Sequence, residues 1–176
     1  MHSKSLRTGL YIGLIISLVQ INVTNAQGGH THGQAHIYII LDDKKLVVDA
    51  TLSASDIVGF EYQPKNEAEL QSVDTALKTI ANTEQWLLIV NGACTHQSTV
   101  IDNPFGTKSP EAAHADHNDF AISVKYNCEK PDELTELEVK LTKIYSQIHD
   151  IEIQWLVHGK QGLAYLHGNT QKVRFE

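Results

Sequence analysis

The chain has 176 residues, with 14 Lys+Arg against 21 Asp+Glu and a formal net charge of −7. That balance argues against nucleic acid and anionic membrane surfaces as partners and suits cations as ligands. Ten histidines against only two cysteines and one methionine put the available metal chemistry in imidazole.

Lys4 and Arg7 precede an almost wholly apolar run from Leu10 to Val19, and Val23-Thr24-Asn25-Ala26 follows. A basic start, a short apolar core and small residues at the exit predict a signal peptide over 1–26, removed on export. The apolar run is too short to span a bilayer, and the alternative is an uncleaved anchor. With Lys4 and Arg7 removed, 12 Lys+Arg remain against 21 Asp+Glu, a net charge of −9. Residues 27–176, about 150 residues, suit one domain with a proper core. The expected location is outside the cytoplasm.

The new N-terminus would open a His-containing arm, 27–34, in which His30 and His32 stand among Gly28, Gly29 and Gly33, with His36 just beyond. Such an arm suits a borderline metal, zinc above all. If a strand begins before His36, that residue lies roughly 13 Å from His32, too far for one ion to bridge unaided. A free amine at Gly28 followed by Gly29 and His30 would instead suit planar Cu2+.

Ala35, Ile37, Ile39 and Leu41 share one face of a strand, and Leu46, Val48, Ala50, Leu52 and Ala54 share one face of the next. Asp42-Asp43-Lys44 supplies the turn of a β-hairpin. Ile57 to Pro64 reads as a connection in which Gly59 supplies an unusual backbone angle, Phe60 anchors the loop and Glu61 is a possible oxygen ligand. Asn66 to Asn82 reads as a helix, capped by Asn66 with Glu69 three residues on, with Leu70, Val73, Leu77 and Ile80 as its apolar stripe. Trp86 to Val90 is a short apolar run, and Cys94 to Ile101 a strand.

A His-containing loop over 102–118 carries His114, Asp116 and His117 and feeds the strand in which Phe120, Ile122, Val124, Tyr126 and Cys128 alternate with polar residues. Two imidazoles and a carboxylate in a loop can close on a metal more easily than a rigid strand can. Cys94 and Cys128 are expected to pair in an oxidising compartment, the alternative being a soft metal site. Pro131 opens a second predicted helix, with Leu134, Leu137, Leu141, Ile144 and Ile148 as its stripe. Ile151 to Val157 and Leu163 to His167 then form strands around a turn from His158 to Gly162, and Val173 to Phe175 a short edge strand.

The expected fold is α+β, with a curved antiparallel sheet, two helices packed on it and element order ββαβ-βαββ. No HExxH, GxSxG or phosphate-loop motif occurs, so no catalytic residues are assigned and the chain is read as a non-enzyme. His96, near Cys94, could join the loop cluster or simply cover a strand face, and His149, His158 and His167, scattered near element ends, read as structural or solvated.

With HTHGQAH at the expected mature start, then the hairpin, DIVGFEYQP followed by Asn66-Glu67-Ala68-Glu69, Cys94, HADHNDF, VKYNC and PDELTEL in that order, the chain resembles the ZrgA family of periplasmic zinc-uptake proteins. The resemblance covers nearly all of 27–176. It implies a zinc-binding protein that assists an ABC-type zinc transporter or its binding protein, with His30, His32, His114 and His117 carried over by position. Where family members often carry a long His/Asp-rich tract between the cysteines, this chain has only His96, His114 and His117, which implies a lower zinc capacity. The alternative functions are a metal-independent adaptor or ligand-binding module, and a zinc metalloenzyme with an open coordination position.

Overall fold

The computed structural model describes residues 32–106, 118–168 and 171–175. The first hairpin forms as its alternation predicts. Strand β1, Gln34–Asp42, pairs antiparallel with β2, Lys45–Ser53, in the register Ile37↔Ala50 and Asp42↔Lys45. Asp43 takes a positive φ of 51° in the turn. A five-residue helix α1, Ala54–Val58, continues directly from β2, where a connection was expected. It stops at Gly59, whose φ of 87° is the left-handed angle that helix ends favour and that glycine adopts without strain.

Helix α2, Glu67–Ala81, matches its predicted span. The Asn66 side chain accepts from the Glu69 amide at 3.0 Å, while the Glu69 carboxylate accepts from the Lys65 amide at 2.6 Å, one residue earlier than in the usual reciprocal cap. The buried stripe keeps Val73 and Ile80 of the expected residues, with Leu77 partly buried against the core and Ala76 added; Leu70 is instead 52 % exposed. After a 3-10 turn at Thr83–Gln85, the apolar run becomes strand β3, Leu87–Val90, and β4 spans Cys94–Asp102.

Strand β5, Asp119–Cys128, buries Phe120, Ile122, Val124, Tyr126 and Cys128 as its alternation requires. Cys94 and Cys128 face each other across β4 and β5 and are disulfide-bonded, closing a separation of 34 residues. The soft-metal alternative for these thiols is thereby removed.

The second predicted helix does not form. Pro131–Glu133 is a 3-10 turn, β6 spans Glu136–Val139, and α3 is a single turn at Leu141–Ile144. Leu134, Leu137 and Leu141 are helically spaced, but Leu137 and Val139 also alternate with Glu136 and Glu138, a strand period. Tertiary pairing decides between the two periods: β3 on one side and β9, Lys172–Arg174, on the other give β6 full ladder partners. Strands β7, Asp150–Val157, and β8, Lys160–His167, form the last hairpin.

The order in the large sheet is β4-β5-β2-β1-β7-β8, with a small sheet β3-β6-β9. The large sheet is not purely antiparallel, because β1 and β7 run parallel. One contiguous core joins the inner faces of β1, β2, β5 and β7 to Ile80 and Trp86 around α2 and to Leu87, Leu137, Val139 and Val173 of the small sheet. Trp86 donates its indole N–H to the Ile80 carbonyl at 2.9 Å, which satisfies the one polar atom of this large buried side chain. The class is therefore α+β, dominated by strands and with few helices.

Candidate metal site

Strand directions gather the histidines. Strand β1 begins, β2 ends and β5 begins at the same end of the large sheet, since Ser53 pairs with Asp119 and His36 with Thr51. Strand β4 ends there too, opposite Ala121, and Gln34 lies beside Asp150, which faces His167. The arm and the loop thus join the sheet at one rim, on strands separated by β2 alone.

His32 stands on that rim with its side chain 65 % exposed. Its Nδ1 lies 2.7 Å from Ser55 Oγ and 3.7 Å from Glu61 Oε1. Ser53 Oγ is 2.9 Å from Ser55 Oγ and donates to Glu61 Oε1 at 3.3 Å. A ring held through Nδ1 leaves Nε2 as its outward-facing nitrogen, the arrangement that protein partners commonly impose on metal-binding histidines. The next residue is fixed more firmly: the Gly33 amide donates to the buried Asp56 carboxylate at 2.8 Å, and its carbonyl accepts from the His149 and Asp150 amides at 2.8 and 3.0 Å. Gly33 has φ 83°, and a Cβ there would stand 3.1 Å from His149 Cδ2 and 3.3 Å from the Gln147 carbonyl.

The other segment reaches the same corner. The Asn118 carbonyl accepts from the Ala54 amide at 2.9 Å, and its side-chain amide donates to the Glu61 carbonyl. Glu61 therefore meets His32 through its carboxylate and Asn118, the residue after His117, through its backbone. Phe60 packs beside this corner, 5.2 Å from Tyr62 and 5.4 Å from Phe105 between ring centroids, while Phe105 meets buried Phe120 at 6.0 Å.

Residues 29–175 match the family model of the ZrgA family zinc uptake proteins. The chain belongs to the ZrgA family. Membership associates it with zinc uptake. No curated protein matches it.

Of the residues expected to ligate metal, His30, His114, Asp116 and His117 lie outside the described residues. His32 is at the corner just described. His36 falls inside β1, on the outer face of the sheet, with Nδ1 4.0 Å from Glu152 Oε1. Among the described residues, no three His, Cys, Asp or Glu side chains already converge as a ligand set. Ser55, and the nearness of Glu61 to His32, carry no signal in sequence, because 23 or more residues separate them from the arm.

The remaining histidines divide by position. His96 lies within β4, away from the rim. It covers a strand face, with Nε2 2.8 Å from Thr99 Oγ1 and its ring edge-on to Tyr126 at 5.5 Å. It pairs with Tyr126, five residues along β5 from Ala121 and so roughly 17 Å from the rim. His158 binds the Leu134 carbonyl at 2.9 Å, at the opposite end of β7. His149 and His167 sit on the rim itself, as the register of β7 and β8 requires.

Proposed function

We propose that this member of the ZrgA family is a non-enzymatic zinc binder of the periplasm, which buffers zinc or hands it to an ABC-type transporter or to that transporter's binding protein. Residues 1–26 are its removable export signal and 27–176 its single domain. His30 and His32 from the arm, with His114, Asp116 and His117 from the loop, supply the ligands, and Glu61 is the nearest fixed carboxylate. The family match supports the role in zinc uptake.

The observation that carries the site assignment is the corner at Glu61. His32 on the arm side and Asn118 on the loop side both bond into the Ser53–Glu61 segment. The starts of β1 and β5 are two strand spacings apart, about 10 Å. Imidazoles one or two residues beyond each start therefore have the reach to share an ion. An exposed rim also suits hand-over, since bound zinc would be open to attack by a partner's ligands.

Calorimetric titration with zinc chloride tests this on the chain and on a variant with His30, His32, His114 and His117 all changed to Ala. The expected result is an affinity loss of 100-fold or more, since removing even the supporting partners of a metal site typically weakens binding about 10–100-fold. Unchanged affinity rejects the assignment. In the unaltered chain, binding should weaken as pH falls below the ordinary histidine range, because imidazole binds metal only when neutral.

A further inference from the structure

The outer face of the large sheet carries a second group of imidazoles and carboxylates, which the arm and loop do not use. On β7, Asp150 and Glu152 point outward, because Ile151 and Ile153 between and beyond them are buried. The neighbouring strands put a histidine beside each. His36 on β1 pairs with Glu152, and His167 on β8 pairs with Asp150. The contacts differ on the two sides: His167 Nδ1 is hydrogen-bonded to Asp150 Oδ1, whereas His36 Nδ1 lies 4.0 Å from Glu152 Oε1, beyond hydrogen-bond distance. The Tyr165 ring stacks on His167 at 6.5 Å and 17°, and Gln154 Nε2 donates to Glu152 Oε1 at 3.0 Å.

His167 is thus engaged through Nδ1 by Asp150, which leaves its Nε2 as the nitrogen available to an ion, while His36 faces Glu152 without a hydrogen bond. Carboxylate–histidine pairing of this kind fixes the tautomer and raises ring basicity in metal sites. Two strand spacings and a two-residue offset set the His36 and His167 Cα atoms on the order of 12 Å apart. That is about twice the reach from a histidine Cα to an ion held 2.0–2.1 Å from its far nitrogen. The midpoint lies over β7, where both carboxylates project.

We propose that His36 and His167, with Asp150 and Glu152 between them, form a second divalent-cation site on this face, for zinc or a similar borderline metal. Two imidazoles with carboxylate oxygen suit such ions. The site closes by rotation of exposed side chains: His36 is 41 % and His167 66 % exposed. Those rotations oppose binding, so this site is weaker than one assembled from flexible segments. It uses none of His30, His32, His114, Asp116 or His117, and so stands or falls apart from the reading above.

Zinc chloride titration of the variant lacking His30, His32, His114 and His117 tests it. The expected result is one retained equivalent, removed by adding His36→Ala and His167→Ala and weakened tenfold or more by Asp150→Asn. Retained binding that ignores these substitutions overturns the proposal, as does a folded quadruple variant that binds no zinc. In the otherwise unaltered chain, followed by the visible absorption of cobalt(II), His36→Ala with His167→Ala should lower the stoichiometry by one equivalent. An unchanged stoichiometry likewise overturns it. Loss of the tightest zinc step in the quadruple variant bears only on the arm and loop.

Discussion

The two ends of the large sheet are built differently. At one end, Cys94 and Cys128 are bonded across β4 and β5, and the following backbone is tied back, with the Glu129 and Lys130 amides donating to Ala93 and Gly92. At the other end the same two strands part into the loop that carries His114 and His117. There the contacts are polar side chains, His32 with Ser55 and Glu61, and Asn118 with Glu61. One end is closed covalently and lined by core residues such as Tyr126. The other carries the exposed His32 ring and is held by hydrogen bonds, that of the Gly33 amide to buried Asp56 among them, and by the Phe60 and Phe105 rings. The difference teaches that covalent closure and the proposed binding rim are separated along the same strands: the disulfide joins β4 and β5 at one end, and the rim where the loop departs is held by hydrogen bonds and aromatic packing.

Opening the closed end should produce the largest loss of stability. Changing both Cys94 and Cys128 to Ser should cost about 3–4 kcal/mol by the loss of loop closure in the unfolded chain, read from urea unfolding. Zinc affinity at the far rim should change much less than stability does. A loss of zinc binding equal to that of the quadruple histidine variant, in chains that remain folded, would break the separation between the ends.

Gly33→Ala sharpens the comparison from the other side. An alanine at φ 83° carries backbone strain and presses a methyl group on the His149 ring and the Gln147 carbonyl. We expect a cost of about 1–3 kcal/mol, in the range of such strained positions, together with weaker zinc binding because the start of β1 moves. The same measurement on Gly159→Ala, in the β7–β8 turn at the opposite end of the sheet, serves as a reference. Gly159 also has a positive angle, 69°, but nothing within 4 Å of its Cβ position, so strain should appear there without the effect on zinc.

The smallest effect belongs to the small sheet, away from both ends. Glu136 accepts from Lys172 Nζ at 2.6 Å and Arg174 Nε at 3.3 Å. The Lys172 hydrogen bond, more than the Arg174 one, holds its carboxyl below the ordinary value of 4.5. A carboxyl lowered in the folded state stabilises above its unfolded value and loses that contribution as pH falls through the folded one. Glu136→Gln should therefore flatten the decline in stability below about pH 4.5 and change little at neutral pH, as followed by thermal melts across that range.

Much of the fold was legible because it is written locally. In β1, β2, β5 and β7 every second residue is apolar, and a strand exposes alternate residues to core and solvent whatever its partners. Asn66 and Glu69 marked the start of α2, since a cap needs only neighbouring residues. Gly59 was read correctly as a special angle for the same reason. The stretch from Leu134 to Ile148 defeated that reading, because its apolar spacing satisfies a helical period while Leu137 and Val139 also satisfy a strand period. Only the presence of β3 and β9 as ladder partners settles the matter.

The sequence by itself determined the inventory of side chains, imidazole and carboxylate on an acidic chain, along with the pairing of two cysteines and most of the strands. Tertiary structure alone decided that β1 and β7 run parallel. That single choice brings His149 and His167 to the rim of His32, and sets Asp150 and Glu152 between two histidines. Composition and periodicity act over a few residues, whereas strand order joins segments more than 100 residues apart, and no local pattern encodes which edges will meet.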